Sequence, residues 1–103
     1  MSLVLKRLTI LAPRELEDAL LATVLDLQPA LPGFTTLQVS GHGEGFAGTR
    51  VQEQVRGRVD RTMMWLVLPA EQAERVLASV RERMPNPDLV WWLEPVDAMG
   101  RFA

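Results

Sequence analysis

The stretch MMWLVL, residues 63–68, decides the fold, because six consecutive large apolar residues predict a β-strand that is covered on both faces. This strand is predicted to begin near Glu53 or Gln54 and to end with the same stretch. An amphipathic helix is predicted directly after it, over 70–84. The apolar residues of that helix recur at helical spacing: Ala73, Val76, Leu77, Val80 and Met84.

Two strands and one helix are predicted before this pair, and one strand after it. Residues 3–11 predict the first strand, and the apolar stripe over 13–27 predicts a helix that begins at a proline. Residues 34–42 predict the second strand, and 89–93 the last one, before a tail over 94–103. The order β-α-β-β-α-β over residues 1–103 predicts a single domain of the α+β class, with both helices on one face of an antiparallel sheet.

The apolar residues of the sheet predict an oligomer. Adjacent Trp91 and Trp92 must point to opposite faces of the last strand, and two helices cover one face only. The other face would expose an apolar patch that soluble monomers rarely tolerate. The alternative is that the tail folds back over the sheet with Val96, Met99 and Phe102.

Charge and composition exclude several classes of protein. The formal net charge is −2 and the isoelectric point is near 5.3, which argues against a nucleic-acid-binding protein. The chain has no cysteine and no apolar run long enough to span a bilayer, so we expect a cytoplasmic protein without membrane insertion. With one histidine, His42, and no third group placed to orient it beside Ser40, the chain is not expected to be an enzyme.

Two candidate ligand sites follow the second strand. Gly41 and Gly43 let backbone amides approach a ligand closely, and Arg56 and Arg58 share one face of a strand about 7 Å apart. Two guanidinium groups at that spacing suit a phosphate or carboxylate ligand. The alternative is a solvated, salt-bridged hairpin.

The second candidate is a divalent-metal site. His42 and Glu44 lie two residues apart and offer an imidazole and a carboxylate to the same ion. Two ligands are too few for a tight site unless neighbouring subunits supply more. The alternative is a histidine in a surface turn.

Several short strings resemble the PII signal-transduction superfamily of nitrogen regulatory proteins. They are KRLTILAP at 6–13, GFTTLQVSGHG at 33–43 and EPVDAMGR at 94–101. The turn SGHG at 40–43 and the run EQVRGR at 53–58 are most similar to an uncharacterised PII-like branch that is associated with heavy-metal efflux genes. The chain departs from the PII pattern at 85–88, where PNPD stands in place of a glycine-rich phosphate-binding loop.

The resemblance implies a ferredoxin-like homotrimer with ligand clefts between subunits. Gly41 and Gly43 would then approach a small anionic ligand, with an adenine nucleotide as one candidate, and Arg101 would meet a phosphate. The loop over 43–52 would signal to a partner protein such as a transporter or a regulator. The alternative function is divalent-metal tolerance, with an architecture similar to the CutA trimers and His42 and Glu44 as ligands.

Overall fold

The computed structural model describes residues 4–42 and 59–103 of the chain. A short 3₁₀ turn over Arg14–Leu16 precedes the first helix. The helices and strands are β1 (Leu5–Pro13), α1 (Glu17–Leu25), β2 (Thr35–Gly41), β3 (Val59–Pro69), α2 (Ala70–Arg83) and β4 (Val90–Pro95). The predicted order β-α-β-β-α-β is confirmed.

The four strands form one antiparallel sheet in the order β2-β3-β1-β4. Leu8 of β1 lies between Leu66 of β3 and Leu93 of β4, and this register fixes which side chains share a face. The fold is therefore ferredoxin-like and of the α+β class, as predicted.

The core lies between the sheet and the two helices. Leu8, Ile10 and Ala12 alternate along β1 on this face, and β3 adds Met64, Leu66 and Leu68, all at most 2% exposed. Leu20 and Val24 of α1 and four residues of α2 complete the core: Ala73, Val76, Leu77 and Val80. Burying one such Leu or Val side chain contributes about 1.5–3 kcal/mol, so the twelve buried apolar residues of this interface stabilise the fold strongly.

Some predicted boundaries differ from the observed ones, and one has no observed counterpart. β1 continues to Pro13, which is extended (φ −55°, ψ 141°), so the prediction that α1 begins there is wrong. Pro13 pairs with Arg61 at the end of the β1–β3 ladder, a strand position that tolerates a missing N–H. β4 runs two residues further than expected because Glu94 and Pro95 pair with β1. The predicted start of the third strand, near residue 53, lies outside the described residues.

Side-chain contacts tie the two helices together at one end. Arg83 in the last turn of α2 forms a salt bridge of 3.0 Å with Asp26, which caps α1. Arg75 donates to the backbone carbonyls of Gln28 and Pro29 at 2.5 and 3.4 Å. Within the described ranges, no helix is long and apolar enough to cross a bilayer.

Candidate functional site

The face of the sheet that carries no helix is called the open face. The register places four groups of residues on it: Leu11 and Thr9 of β1, Leu37 of β2, Met63, Trp65 and Val67 of β3, and Val90 and Trp92 of β4. Val90 and Trp92 remain 43% and 38% exposed. The predicted apolar surface opposite the helices is therefore present in the isolated chain.

A polar cluster interrupts the open face. Arg7 binds both carboxylate oxygens of Glu94 through Nη2, at 2.9 and 3.0 Å, and its guanidinium carbon lies 5.2 Å from the ring centre of Trp65. The indole N–H of Trp92 donates to the same carboxylate at 3.0 Å. The hydrogen bonds from Arg7 hold the pKa of Glu94 below its ordinary value. Thr9, between the two indoles in the register, is fully buried.

Arg101, the predicted phosphate contact, lines a groove beside the open face. The groove has a volume of about 350 Å³ and lies between the C-terminal segment and the start of β2. Arg101 is exposed and forms no salt bridge with the residues that the structure describes. The lining residues are Pro32, Gly33, Phe34, Thr35, Trp65, Val67, Met99, Gly100 and Arg101. A guanidinium beside aromatic rings suits a ligand that combines an anionic group with a planar one.

The alternative that the tail covers the open face is wrong for its aromatic residue. Phe102 is fully exposed (111%), and Met99 is 62% exposed although it lines the groove. The segment over 96–103 forms no helix or strand. The C-terminal segment therefore borders the open face beside Trp65 and Val67, but it leaves Val90, Trp92 and its own Phe102 exposed.

The second predicted site lies at the far end of β2. Gly41 is buried and pairs with Val59 in the last described rung of the ladder, and His42 is exposed directly after it. Four predicted site residues lie outside the described part of the chain: Gly43, Glu44, Arg56 and Arg58. Within the described part, no group of three or more His, Asp or Glu side chains is placed to hold a metal ion, so the metal alternative gains no support there.

One chain does not bring Gly41 and Arg101 together. Arg101 lines the groove beside Thr35, and Gly41 lies six residues further along the same strand. A strand rises about 3.3 Å per residue, which separates the two ends of β2 by about 20 Å. A single small ligand does not span that distance, so the two predicted contacts belong to one site only if different subunits supply them.

The loop between α2 and β4 has few amides left to bind an anion. Pro85 and Pro87 have no backbone N–H. The N–H of Asp88 donates to the side chain of Asn86 at 2.8 Å, and that of Leu89 donates to the Asn86 carbonyl at 3.0 Å. A phosphate cradle needs several free N–H groups that point at one place. Arginine side chains would therefore have to supply most of the anion binding.

An apolar pocket, called the α2–β4 pocket, lies under this loop on the helix side of the sheet. Its volume is about 160 Å³, and it is open to solvent. Its lining residues are Ile10, Leu77, Val80, Arg81, Met84, Pro85, Asn86, Leu89, Val90 and Trp91. Sequence reasoning missed this pocket. In the structure, Trp91 of β4 is 47% exposed beside it and has no polar partner among the described residues.

Comparison with known proteins identifies the family. The chain belongs to the DUF3240 family, whose model is described as a protein of unknown function and matches residues 3–103. A DUF3240 family protein of Shewanella baltica has a similar structure, with a TM-score of 0.77 and 18% identity over the full length of both chains. No curated protein matches the chain significantly.

Two further solved structures confirm the PII-like fold. A PII-like signalling protein of Thermus thermophilus is 28% identical, over 93% of this chain and 91% of its own, with a TM-score of 0.62. A nitrogen regulatory PII-like protein of Thiomonas intermedia, solved with bound ADP, AMP and bicarbonate, is 19% identical, over 94% of this chain and 93% of its own, with a TM-score of 0.67. The predicted membership of the PII-like superfamily is thereby confirmed.

Proposed function

We propose that this member of the DUF3240 family is a homotrimeric regulatory protein that binds a small anionic ligand in the clefts between its subunits. An adenine nucleotide is the first candidate for the ligand. The segment over 43–52 would change conformation when the ligand binds and would present itself to a partner protein. The protein would bind and signal, and it would catalyse no reaction.

The separation of Gly41 from Arg101 supports a site between subunits most directly. Gly41 ends β2, whereas Arg101 lies in the groove beside Thr35 at the start of β2, so the rise of a strand separates them by about 20 Å. If the groove end of one subunit meets the Gly41 end of its neighbour, the two halves complete each other. A cyclic arrangement of three chains would form three such sites.

The open face supports the assembly. Val90 and Trp92 are exposed on this apolar surface. When another subunit covers the surface, burial stabilises the assembly by about 25 cal/mol per Å² of apolar area. The Arg7–Glu94 pair gives that surface a polar feature that a neighbouring subunit would have to match. Both features favour a specific assembly over a monomer.

The side chains that line the groove indicate which kind of ligand would bind there. Arg101 supplies an exposed guanidinium, and Trp65 and Phe34 supply aromatic surface in the same groove. Arg56 and Arg58 would add charge from the neighbouring subunit. The PII-like protein of Thiomonas intermedia was solved with ADP, AMP and bicarbonate, and we propose the same ligand classes for this chain.

Calorimetric titration with AMP, ADP and bicarbonate tests the proposal. The Arg101→Gln variant should bind about 10- to 100-fold more weakly, because a charged hydrogen bond contributes about 1.5–3 kcal/mol. Arg14→Gln, at an exposed arginine before α1, is the matched control and should bind like the wild type. The double variant Arg56→Ala, Arg58→Ala should lose binding and keep its assembly.

Two outcomes would contradict the proposal. Binding that is unchanged in both Arg101→Gln and the double variant would mean that the site is elsewhere. A thermal shift with a divalent metal alone, abolished in His42→Ala, would replace the nucleotide proposal with the metal one.

A further inference from the structure

Phe102 is an aromatic side chain that packs against none of the described residues of its own subunit. It is fully exposed and follows Arg101 in the segment over 96–103, which has no regular structure. Burying an aromatic side chain removes about 150–250 Å² from water, so its exposure is costly. Another subunit that buries the Phe102 ring in an apolar pocket would therefore form a more stable contact.

The α2–β4 pocket is the described apolar cavity that suits such a ring. Leu77, Val80, Met84 and Trp91 contribute apolar side chains to it, and its volume of about 160 Å³ is that of a small side chain and not of a nucleotide. Trp91 remains 47% exposed at its mouth. An inserted phenyl ring would cover Trp91 and form an aromatic pair with it.

A subunit cannot fill this pocket with its own Phe102. Arg101 lies in the groove beside Trp65 and Val67, on the open face, whereas the pocket lies beyond β1 and β4 on the helix face. Two strand spacings, about 9.5 Å, and the sheet itself separate them. One further residue extends the chain by about 3.5 Å, which is too short to pass around the edge of the sheet.

One pair of opposite charges favours contact between the two surfaces. Arg81 lines the pocket, and Asp97 precedes Met99 and Phe102 in the C-terminal segment. Neither Arg81 nor Asp97 forms a salt bridge with the described residues of its own subunit. Their opposite charges favour docking of the segment of one subunit on the pocket of another, while Arg101 stays in the groove of its own subunit.

We infer that Phe102 of one subunit inserts into the α2–β4 pocket of a second copy of the chain. The two contacting surfaces differ, so the contact is heterologous, which is the kind of contact that a cyclic trimer requires. This inference deepens the proposed function, since it rests on the proposed assembly and needs no ligand. The tail then links each subunit's groove to its neighbour's α2–β4 loop.

Cysteine cross-linking tests this contact directly, because the chain contains no cysteine of its own. A chain with Ala103→Cys, which keeps Phe102, is mixed with a chain with Arg81→Cys, subunits are exchanged, and a short thiol-to-thiol cross-linker is added. We expect a covalent dimer from the mixture and at least tenfold less from either chain alone. Asn86→Cys serves as a second pocket position, and Leu25→Cys, on an exposed residue of α1, is the control that should not cross-link to position 103.

The cross-linking result can be judged separately from the proposal that the protein binds an anionic ligand. An oligomer that binds nucleotide yet gives no cross-link to position 81 or 86 above the level of position 25 would overturn the inference alone. A cross-linked oligomer that binds no tested anion would support the contact and count against the proposed ligand.

Discussion

Arg7 and Glu94 face each other across β1 and β4 and form a salt bridge with Nη2 at 2.9 Å and 3.0 Å from the two carboxylate oxygens. The same arginine lies over Trp65 of β3, and the same glutamate accepts a hydrogen bond from Trp92 of β4, so one ion pair contacts a tryptophan on each strand beside β1. Both side chains are about two-fifths exposed in the isolated chain. The pair therefore lies on the surface that we propose a neighbouring subunit covers, near the end where β1 begins and β4 ends.

The Arg7–Glu94 pair predicts how stability depends on pH. Arg7 lowers the pKa of Glu94 in the folded state below its ordinary value of 4.5, so the pair stabilises the fold above that pH. This contribution is lost as the pH falls through the folded-state pKa. Glu94→Gln should thus melt at a lower temperature than the wild type at pH 7, and the difference should shrink below pH 4.5.

Melting temperatures of both proteins between pH 3 and pH 8, measured in one buffer series, check this prediction. A difference that stays constant across the series would mean that the carboxylate does not stabilise the fold through its charge.

A side chain at position 33, just before β2, is expected to strain the backbone and destabilise the fold. Its φ of +149° lies in a region that residues with a side chain rarely adopt. Gly33→Ala should therefore destabilise the fold by about 1–3 kcal/mol, even though no atom lies close to the added methyl group. Gly100→Ala is the control, since it has open space and no such φ, and it should change the free energy of unfolding by about 0.5 kcal/mol or less.

Urea denaturation of the two variants and the wild type measures both effects. Equal stability of Gly33→Ala and Gly100→Ala would show that the backbone at residue 33 accommodates a side chain.

The fold could be predicted from sequence because its signals are local and repeated. Leu66 and Leu68 alternate with Trp65 and Val67, and the stripe from Ala73 to Val80 has helical spacing, so strand, helix and covered face follow from the pattern. The start of α1 could not be predicted. Pro13 suits both a strand end and a helix start, and only its pairing with Arg61 decides between them.

A charged side chain placed on the open face is expected to dissociate the proposed assembly. Leu37 and Gln38 are adjacent on β2 and point to opposite faces: Leu37 pairs with Met63 on the open face, while Gln38 donates to Glu17 on the helix side at 2.9 Å. Leu37→Lys places an ammonium group on the proposed interface, where burying it without a partner is costly. This variant should lower the molar mass in solution toward that of one chain, 11.5 kDa.

Gln38→Lys is the matched control, because the new side chain keeps a partner in Glu17 and stays off the open face. Light scattering of both variants at the same concentration makes the comparison. Dissociation by Gln38→Lys alone would place the interface on the helix side of the sheet.

The candidate site was less predictable than the fold. The family resemblance singled out Arg101, but its position beside Trp65 depends on how the segment over 96–103 crosses the sheet, and no periodic pattern encodes that path. The α2–β4 pocket could not be seen in the sequence, because it is bounded by residues far apart in the chain, such as Ile10 and Leu89. The roles of Arg56 and Arg58 stay predictions.

Mixing two defective subunits tests the central claim, that the ligand site is shared between subunits, most directly. One chain carries Arg101→Gln and the other carries Arg56→Ala with Arg58→Ala, and each alone should bind AMP or ADP weakly or not at all. After subunit exchange, a site with Arg101 from one chain and intact Arg56 and Arg58 from its neighbour should form, so calorimetry should detect wild-type affinity at a fraction of the sites. If the exchanged mixture binds no better than its two components, the site does not combine these residues across subunits, and the account is contradicted.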